Sequence, residues 1–197
     1  MLNLSTNPRK NAGFGMIEVL VSLAIILTGL LGLAGLLTLG QQAEMESYQR
    51  AQALVLLEDM VGRINANRKV AACYGATTTN ATTGTPYLGS SATSTPACTS
   101  GTSAQNATAI ADLAAWNNAL IGAAETQGGS NVGAMIGARG CISLTATDTY
   151  LISVAWQGLN PTFSPPAGLG CGKDLYGSET KRRVVSTTLR IANLTAL

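Results

Sequence analysis

A chain of 197 residues has room for one compact domain plus an extended element. With 12 Lys and Arg against 10 Asp and Glu, the net charge of +2 leaves no electrostatic footprint for nucleic acid, and the one basic cluster, Lys181, Arg182 and Arg183, reads as a solvated strand end. The lack of any His removes the commonest general base, the usual zinc ligand and every Ser–His or Cys–His nucleophile, so neither an enzyme nor a cofactor or metal site is expected.

Residues 1–13, MLNLSTNPRKNAG, read as a basic leader whose only charges are Arg9 and Lys10. From Val19 to Leu39 no charge interrupts the chain. At ~1.5 Å per residue a helix over this run spans about 30 Å, enough to cross the hydrocarbon core of a bilayer. Arg9 and Lys10 place the N-terminus in the cytoplasm and the rest of the chain across the membrane. A secretory signal fits less well. Its apolar region is shorter and ends in a small-x-small site, whereas the exit LGQQAE places Gln41 there. A plain signal anchor leaves Glu18 unexplained, because a carboxylate beside such a run is costly unless it is paired.

The stretch GFGMIEVL, Gly13 to Leu20, resembles the class III signal of type IV prepilins and of type II secretion pseudopilins. Basic leader, Gly, Phe, glutamate and long apolar helix all occur in the family's order. The resemblance implies cleavage between Gly13 and Phe14 by a prepilin peptidase on the cytoplasmic face, then N-methylation of Phe14 by the same peptidase/N-methyltransferase. Glu18 falls on the family's glutamate. It would pair, inside a filament, with the Phe14 amine of the neighbouring subunit. Residues 14–40 are then a transmembrane and filament-core helix. Gly29, Gly32 and Gly35 put small residues near one face of it, which allows close helix approach. Gly35 also stands where major pilins carry a helix-breaking Pro, a departure from the family pattern.

Helical periodicity continues through residues 41–70, with Ala51, Leu54, Leu57 or Glu58, Val61 and Ile64 as the apolar face and Gln49, Gln52, Asp59 and Arg63 between them. No Pro occurs from Phe14 to Val70, so one helix of about 55 residues and ~80 Å is expected.

Residues 71–197 read as a globular head. Its cysteines, Cys73, Cys98, Cys141 and Cys171, lack metal-site spacing and lie beyond the membrane segment, where disulfides form. Three pairings are open; the sequential one, Cys73–Cys98 and Cys141–Cys171, closes the shortest loops and is the expectation. The Ser/Thr-rich segment 75–108 is expected to be a long loop that buries little. Asn80 and Asn106 each begin NAT, a glycosylation-type triplet for which an unmodified loop is the better reading. A core-facing helix follows with Thr108 as N-cap and Ile110, Leu113, Trp116 or Asn117, and Leu120 inward. Three strands come next, CISLTA from Cys141, YLISVAW from Tyr150 and RVVSTTLRIA from Arg183, the first two joined as a hairpin around Thr147 and Asp148. A Pro/Gly-rich excursion from Gln157 to Lys181 separates the last two and is tied down by Cys171. Asp174 and Glu179 within it are too scattered for a calcium cage and read as solvated.

DLAAW, YLISVAW and GLLGLAGL resemble segments of the PilV minor pilins, the type IV pilus modification proteins. The whole then reads as an α+β, pilin-like fold: a long N-terminal helix packed on a small antiparallel sheet. The resemblance implies a minor pilin that primes or tips a type IV pilus, with roles in twitching motility and adhesion. Its partners would be the prepilin peptidase, other minor pilins, the major pilin and the inner-membrane assembly platform. It would sit in a bacterial inner membrane with the head periplasmic, then in the pilus. A minor pseudopilin of type II secretion, or a tip adhesin using its Ser/Thr- and Pro-rich loops, are the alternatives.

Overall fold

A computed structural model describes residues 13–192; Arg9 and Lys10 of the leader lie outside the described residues. The chain forms two compact units, one ending at Glu44 and one beginning at Met45. The longest element, α1, runs Met16–Ala66. Its first turn closes with the Glu18 and Val19 amides donating to the Gly15 carbonyl. Leu and Ala dominate the sequence that follows and Pro is absent, so nothing breaks the hydrogen-bond ladder. Asn67 leaves helical geometry at φ −117° and a 3-10 turn, Arg68–Val70, leads into a short helix α2, Ala71–Gly75.

The head begins on the later part of α1. Gln49, Ala53, Leu57, Met60 and Ile64 are buried, spaced by four, four, three and four residues. This corrects the expected face. Leu57 and Ile64 lie inward, but Ala51 is exposed, Leu54 is 41% exposed, and polar Gln49 is buried. Two stripes of similar hydrophobicity run side by side here, and tertiary packing rather than periodicity selects between them.

A four-stranded antiparallel sheet has the order β1 (Leu88–Gly89), β4 (Arg139–Ala146), β5 (Thr149–Gln157), β6 (Arg182–Arg190). Between β1 and β4 come helix α3, Ser103–Leu120, and a small hairpin, β2 (Thr126–Gln127) with β3 (Ser130–Asn131). The β4–β5 hairpin turns at Thr147 and Asp148 as expected, Asp148 taking φ 54°. β5 is the central long strand, and both its faces are covered. Tyr150, Ile152, Val154 and Trp156 join the core built by α1 and α3. Ala155 turns the other way, into a second cluster with Tyr87, Cys141, Cys171 and Tyr176. Burial on both sides explains why YLISVAW is a nearly unbroken apolar run. Gly140 sits opposite Val154 in the register, and a Cβ there would collide with the Trp116 ring and Leu120. The bare backbone lets α3 lie close to the strand.

Four further expectations need correction. The N-cap of α3 is Thr102, not Thr108. Thr102 Oγ1 accepts from the Gln105 amide at 3.3 Å while Gln105 Oε1 accepts from the Thr102 amide at 3.0 Å, a reciprocal capping box. Thr108 lies inside the helix and donates to the Ala104 carbonyl. The segment 75–108 is not a bare loop either. Tyr87 and Leu88 are buried, Leu88 pairs with Gly140, and Thr78 Oγ1 donates to the Pro86 carbonyl and accepts from the Ile142 amide. Its few apolar residues are spent where they face β4. Finally, Arg182 is not part of a solvated strand end: it is 2% exposed. Its Nε donates to Glu179 Oε2 at 2.8 Å and its NH1 to the Leu169 and Cys171 carbonyls. Glu179 is correspondingly a structural counter-ion rather than a solvated loop carboxylate.

Candidate processing and assembly site

Gly13, Phe14 and Gly15 precede the first helical residue, so the Gly13–Phe14 bond lies in irregular backbone. Among the described residues, a Cβ added at Gly13 would meet nothing within 4 Å. Phe14 is 83% exposed, and every large apolar side chain from there to Leu39 is more than half exposed. An 18-residue window of α1 reaches a mean hydropathy of 2.5 with none of it buried, so this helix is long and apolar enough to cross a membrane.

The polar groups of this segment are satisfied along the helix itself. Ser22 Oγ donates to the Glu18 carbonyl at 2.6 Å, Thr28 Oγ1 to the Ala24 and Ile25 carbonyls, and Thr38 Oγ1 to the Ala34 carbonyl. Such back-bonding hides hydroxyls from an apolar solvent. Glu18 has no such device. Its carboxylate has no hydrogen bond or ion pair among the described residues and stands among exposed Met16, Ile17, Val19 and Leu20. It can accept hydrogen bonds, and no cation lies beside it among the described residues.

The four cysteines pair as Cys73–Cys98 and Cys141–Cys171, with Cα separations of 5.0 and 5.8 Å. The first ties α2 to the segment leading into α3. The second staples β4 to the excursion between β5 and β6. Next to it the Arg139 guanidinium lies 5.3 Å from the Tyr87 ring centre and 5.0 Å from that of Tyr176, whose hydroxyl donates to the Gly137 carbonyl.

Two polar clusters that the sequence reading did not foresee moor α1 to the head. Arg63 donates to Asp59 at 2.8 Å and to Asp112 at 2.9 Å, and Tyr74 donates to the other Asp112 oxygen at 2.6 Å. Burial, and then the Asp112 carboxylate, push the Tyr74 phenol well above its usual range, so it remains a donor. Glu46 Oε1 accepts from the Leu159 and Asn160 amides and from Arg183. Its partners lie far along the chain, which no local spacing reveals. The NAT asparagines have structural work. Asn80 Oδ1 accepts from the Thr82 and Thr83 amides, while Asn106 exchanges hydrogen bonds with both backbone groups of Gly101. Among the described residues no group of three or more Cys, Asp or Glu is placed to hold a metal ion.

A family model described as the prokaryotic N-terminal methylation motif matches residues 8–34, the stretch containing Gly13, Phe14 and Glu18. No curated protein and no solved structure matches the chain. The match and the exposed apolar helix together fit a membrane-anchored chain that begins with a prepilin-type methylation motif.

Proposed function

We propose that this chain is a minor pilin that enters the priming or tip complex of a type IV pilus. A prepilin peptidase cuts between Gly13 and Phe14 and methylates the new amine of Phe14; the head then lies on the periplasmic side. The observation that carries the reading is Glu18: a carboxylate without a partner among the described residues, inside a matched methylation motif and at the start of an exposed apolar helix. The amine freed at Phe14 of an adjacent subunit supplies the missing charge. A buried pair that loses one member costs about 3–5 kcal/mol, so the contact penalises subunits that dock out of register. The other minor pilins, the major pilin and the inner-membrane assembly platform are the partners this role requires.

A deletion strain scored for surface pili and for protein secretion tests the assignment. Loss of pili with secretion intact supports the pilus role, and the reverse phenotype transfers the protein to type II secretion as a minor pseudopilin. Rescue with Glu18→Ala tests the mechanism. The variant should be cleaved normally yet be depleted from sheared pili; recovery at the wild-type level removes Glu18 from assembly.

A further inference from the structure

We propose that the head makes a membrane contact of its own, in addition to the apolar part of α1. The tip of the excursion, with Leu159 and Phe163, enters the boundary between lipid headgroups and acyl chains, while Arg50 and Arg183 bind the phosphate of an anionic phospholipid. Phe163 is 97% exposed and Leu159 37%, two apolar side chains on one short stretch of loop. That stretch is moored at its base. The Leu159 and Asn160 amides donate to Glu46, Arg183 donates to the Asn160 carbonyl at 2.6 Å, and the Thr162 amide donates to the Thr180 carbonyl at 2.7 Å. Pro161, Pro165 and Pro166 fix φ on either side of the ring. Apolar side chains on a pre-ordered loop gain from leaving water and lose little conformational entropy in doing so.

Beside the moored stretch lies a half-open pocket of about 290 Å³ lined by Glu46, Ser47, Arg50, Trp156 and Arg183. Two of its three charged side chains are cations. Arg183 is paired with Glu46 at 3.3 Å, whereas Arg50 is exposed and has no hydrogen bond or ion pair among the described residues. The pocket therefore carries a surplus positive charge. Guanidinium groups present planar forks of donors that match phosphate oxygens, and the Ser47 hydroxyl is a further donor.

Position identifies the lipid. A Cβ at Gly75, in α2 beyond the end of α1, would meet the Tyr150 ring near the start of β5. Trp156, near the close of β5, lines the pocket with Glu46 and Arg50. β5 thus runs antiparallel to α1, and the excursion leaves it at the end of the head where the first residues of the head lie. Glu46 is seven residues past Leu39, the last of the uncharged run, which is about 10 Å of helix. The headgroup layer takes up roughly 5–8 Å of that distance, and the three residues from Asn160 to Phe163 reach up to about 10 Å. A bilayer is the surface that the chain's own apolar helix brings to this end of the head. Exposed apolar groups flanked by cations are what the interface of an anionic bilayer retains. The contact rests on α1 spanning a membrane and is independent of the pilus role.

The test uses the full chain in vesicles made from equal amounts of phosphatidylcholine and phosphatidylglycerol. Each variant carries one added cysteine bearing a nitroxide, since the native cysteines are all paired. Collisions with oxygen, which concentrates in lipid, are compared with collisions with a water-soluble nickel chelate. Oxygen should dominate at Phe163→Cys. The chelate should dominate at Leu144→Cys, which is 57% exposed and pairs with Tyr150 at the other end of β5. Thr28→Cys, inside the apolar run, reports on the span itself. A Phe163 label as wet as that at Leu144, beside an immersed Thr28 label, would overturn this contact alone; a wet Thr28 label would remove the span and the contact with it. A Phe163 label shielded from both reagents would overturn the choice of lipid as the occupant. Adding Arg50→Gln should lower the ratio of immersed to free Phe163 label about fivefold, the worth of one cation at an anionic surface, and should change nothing in phosphatidylcholine alone. An unchanged ratio in the mixed vesicles, or an equal fall in both lipids, would overturn the phosphate assignment.

Discussion

Replacing Glu179 with Gln removes the carboxylate that, alone among the described residues, forms an ion pair with buried Arg182. Breaking a buried ion pair by deleting one member costs about 3–5 kcal/mol. Three features lower that figure here. The Glu179 side chain is 28% exposed, Arg182 keeps the Leu169 and Cys171 carbonyls, and glutamine retains an acceptor oxygen. The expected loss is therefore about 1.5–3 kcal/mol at neutral pH. The pH dependence is a sharper test. Burial alone works to raise the Glu179 carboxyl, but hydrogen bonds from Arg182 and from the Asp174 amide overcome it and hold the group below its ordinary 4.5. A carboxyl depressed in the folded state stabilises above its unfolded pKa and stops doing so as pH falls through the folded one. Urea unfolding of the full chain in detergent, followed by Trp116 and Trp156 fluorescence, should show the whole gap at pH 7 and converging stabilities in acid well below pH 4.5. Equal stabilities at pH 7, or an undiminished gap in acid, would refute the reasoning.

Gly140→Ala should cost about 1–3 kcal/mol by forcing Trp116 and Leu120 away from β4, read as a lowered thermal midpoint of the head. Replacing both Cys73 and Cys98 by Ala should remove about 3.5 kcal/mol in the chain-entropy account of a loop whose ends are separated by 25 positions, measured by urea unfolding under non-reducing conditions. Thr102→Ala should destabilise by about 1 kcal/mol through loss of the α3 cap, whereas Thr108→Ala should stay within about 0.5 kcal/mol; the same titration compares them.

The parts of the molecule governed by local rules were legible in the sequence. The unbroken apolar run gave a helix, YLISVAW a buried strand, Thr147–Asp148 a turn, and the order of the cysteines their pairing. What escaped depended on distant partners. Arg182 reads as one of three surface cations until the excursion folds over and surrounds it with carbonyls. Glu46 is one more helix-surface acid until Leu159, Asn160 and Arg183 arrive from across the chain. Two local signals were present and overlooked. Thr102-Ser-Ala-Gln105 is a capping-box spacing concealed in a Ser/Thr-rich run, and Gly128-Gly129, both at positive φ, is a two-residue hairpin turn between β2 and β3. In the candidate assembly segment the motif carries nearly all the information, since the described residues offer the Glu18 carboxylate no partner.

The way the excursion is closed has an evolutionary consequence. Its base is zipped by the Gly158–Lys181 and Thr162–Thr180 backbone bonds, and its far limb is clamped by Arg182 and the Cys171 bridge. Residues 163–168 are thus spanned between two fixed posts. Doubling the length of such a span costs only about 0.6 kcal/mol in closure entropy. Insertions, deletions and wholesale replacement there should leave β6 in register and the core unaltered. The head behaves as a socket with an exchangeable tip, so lineages could rewrite what the tip meets while inheriting the same frame.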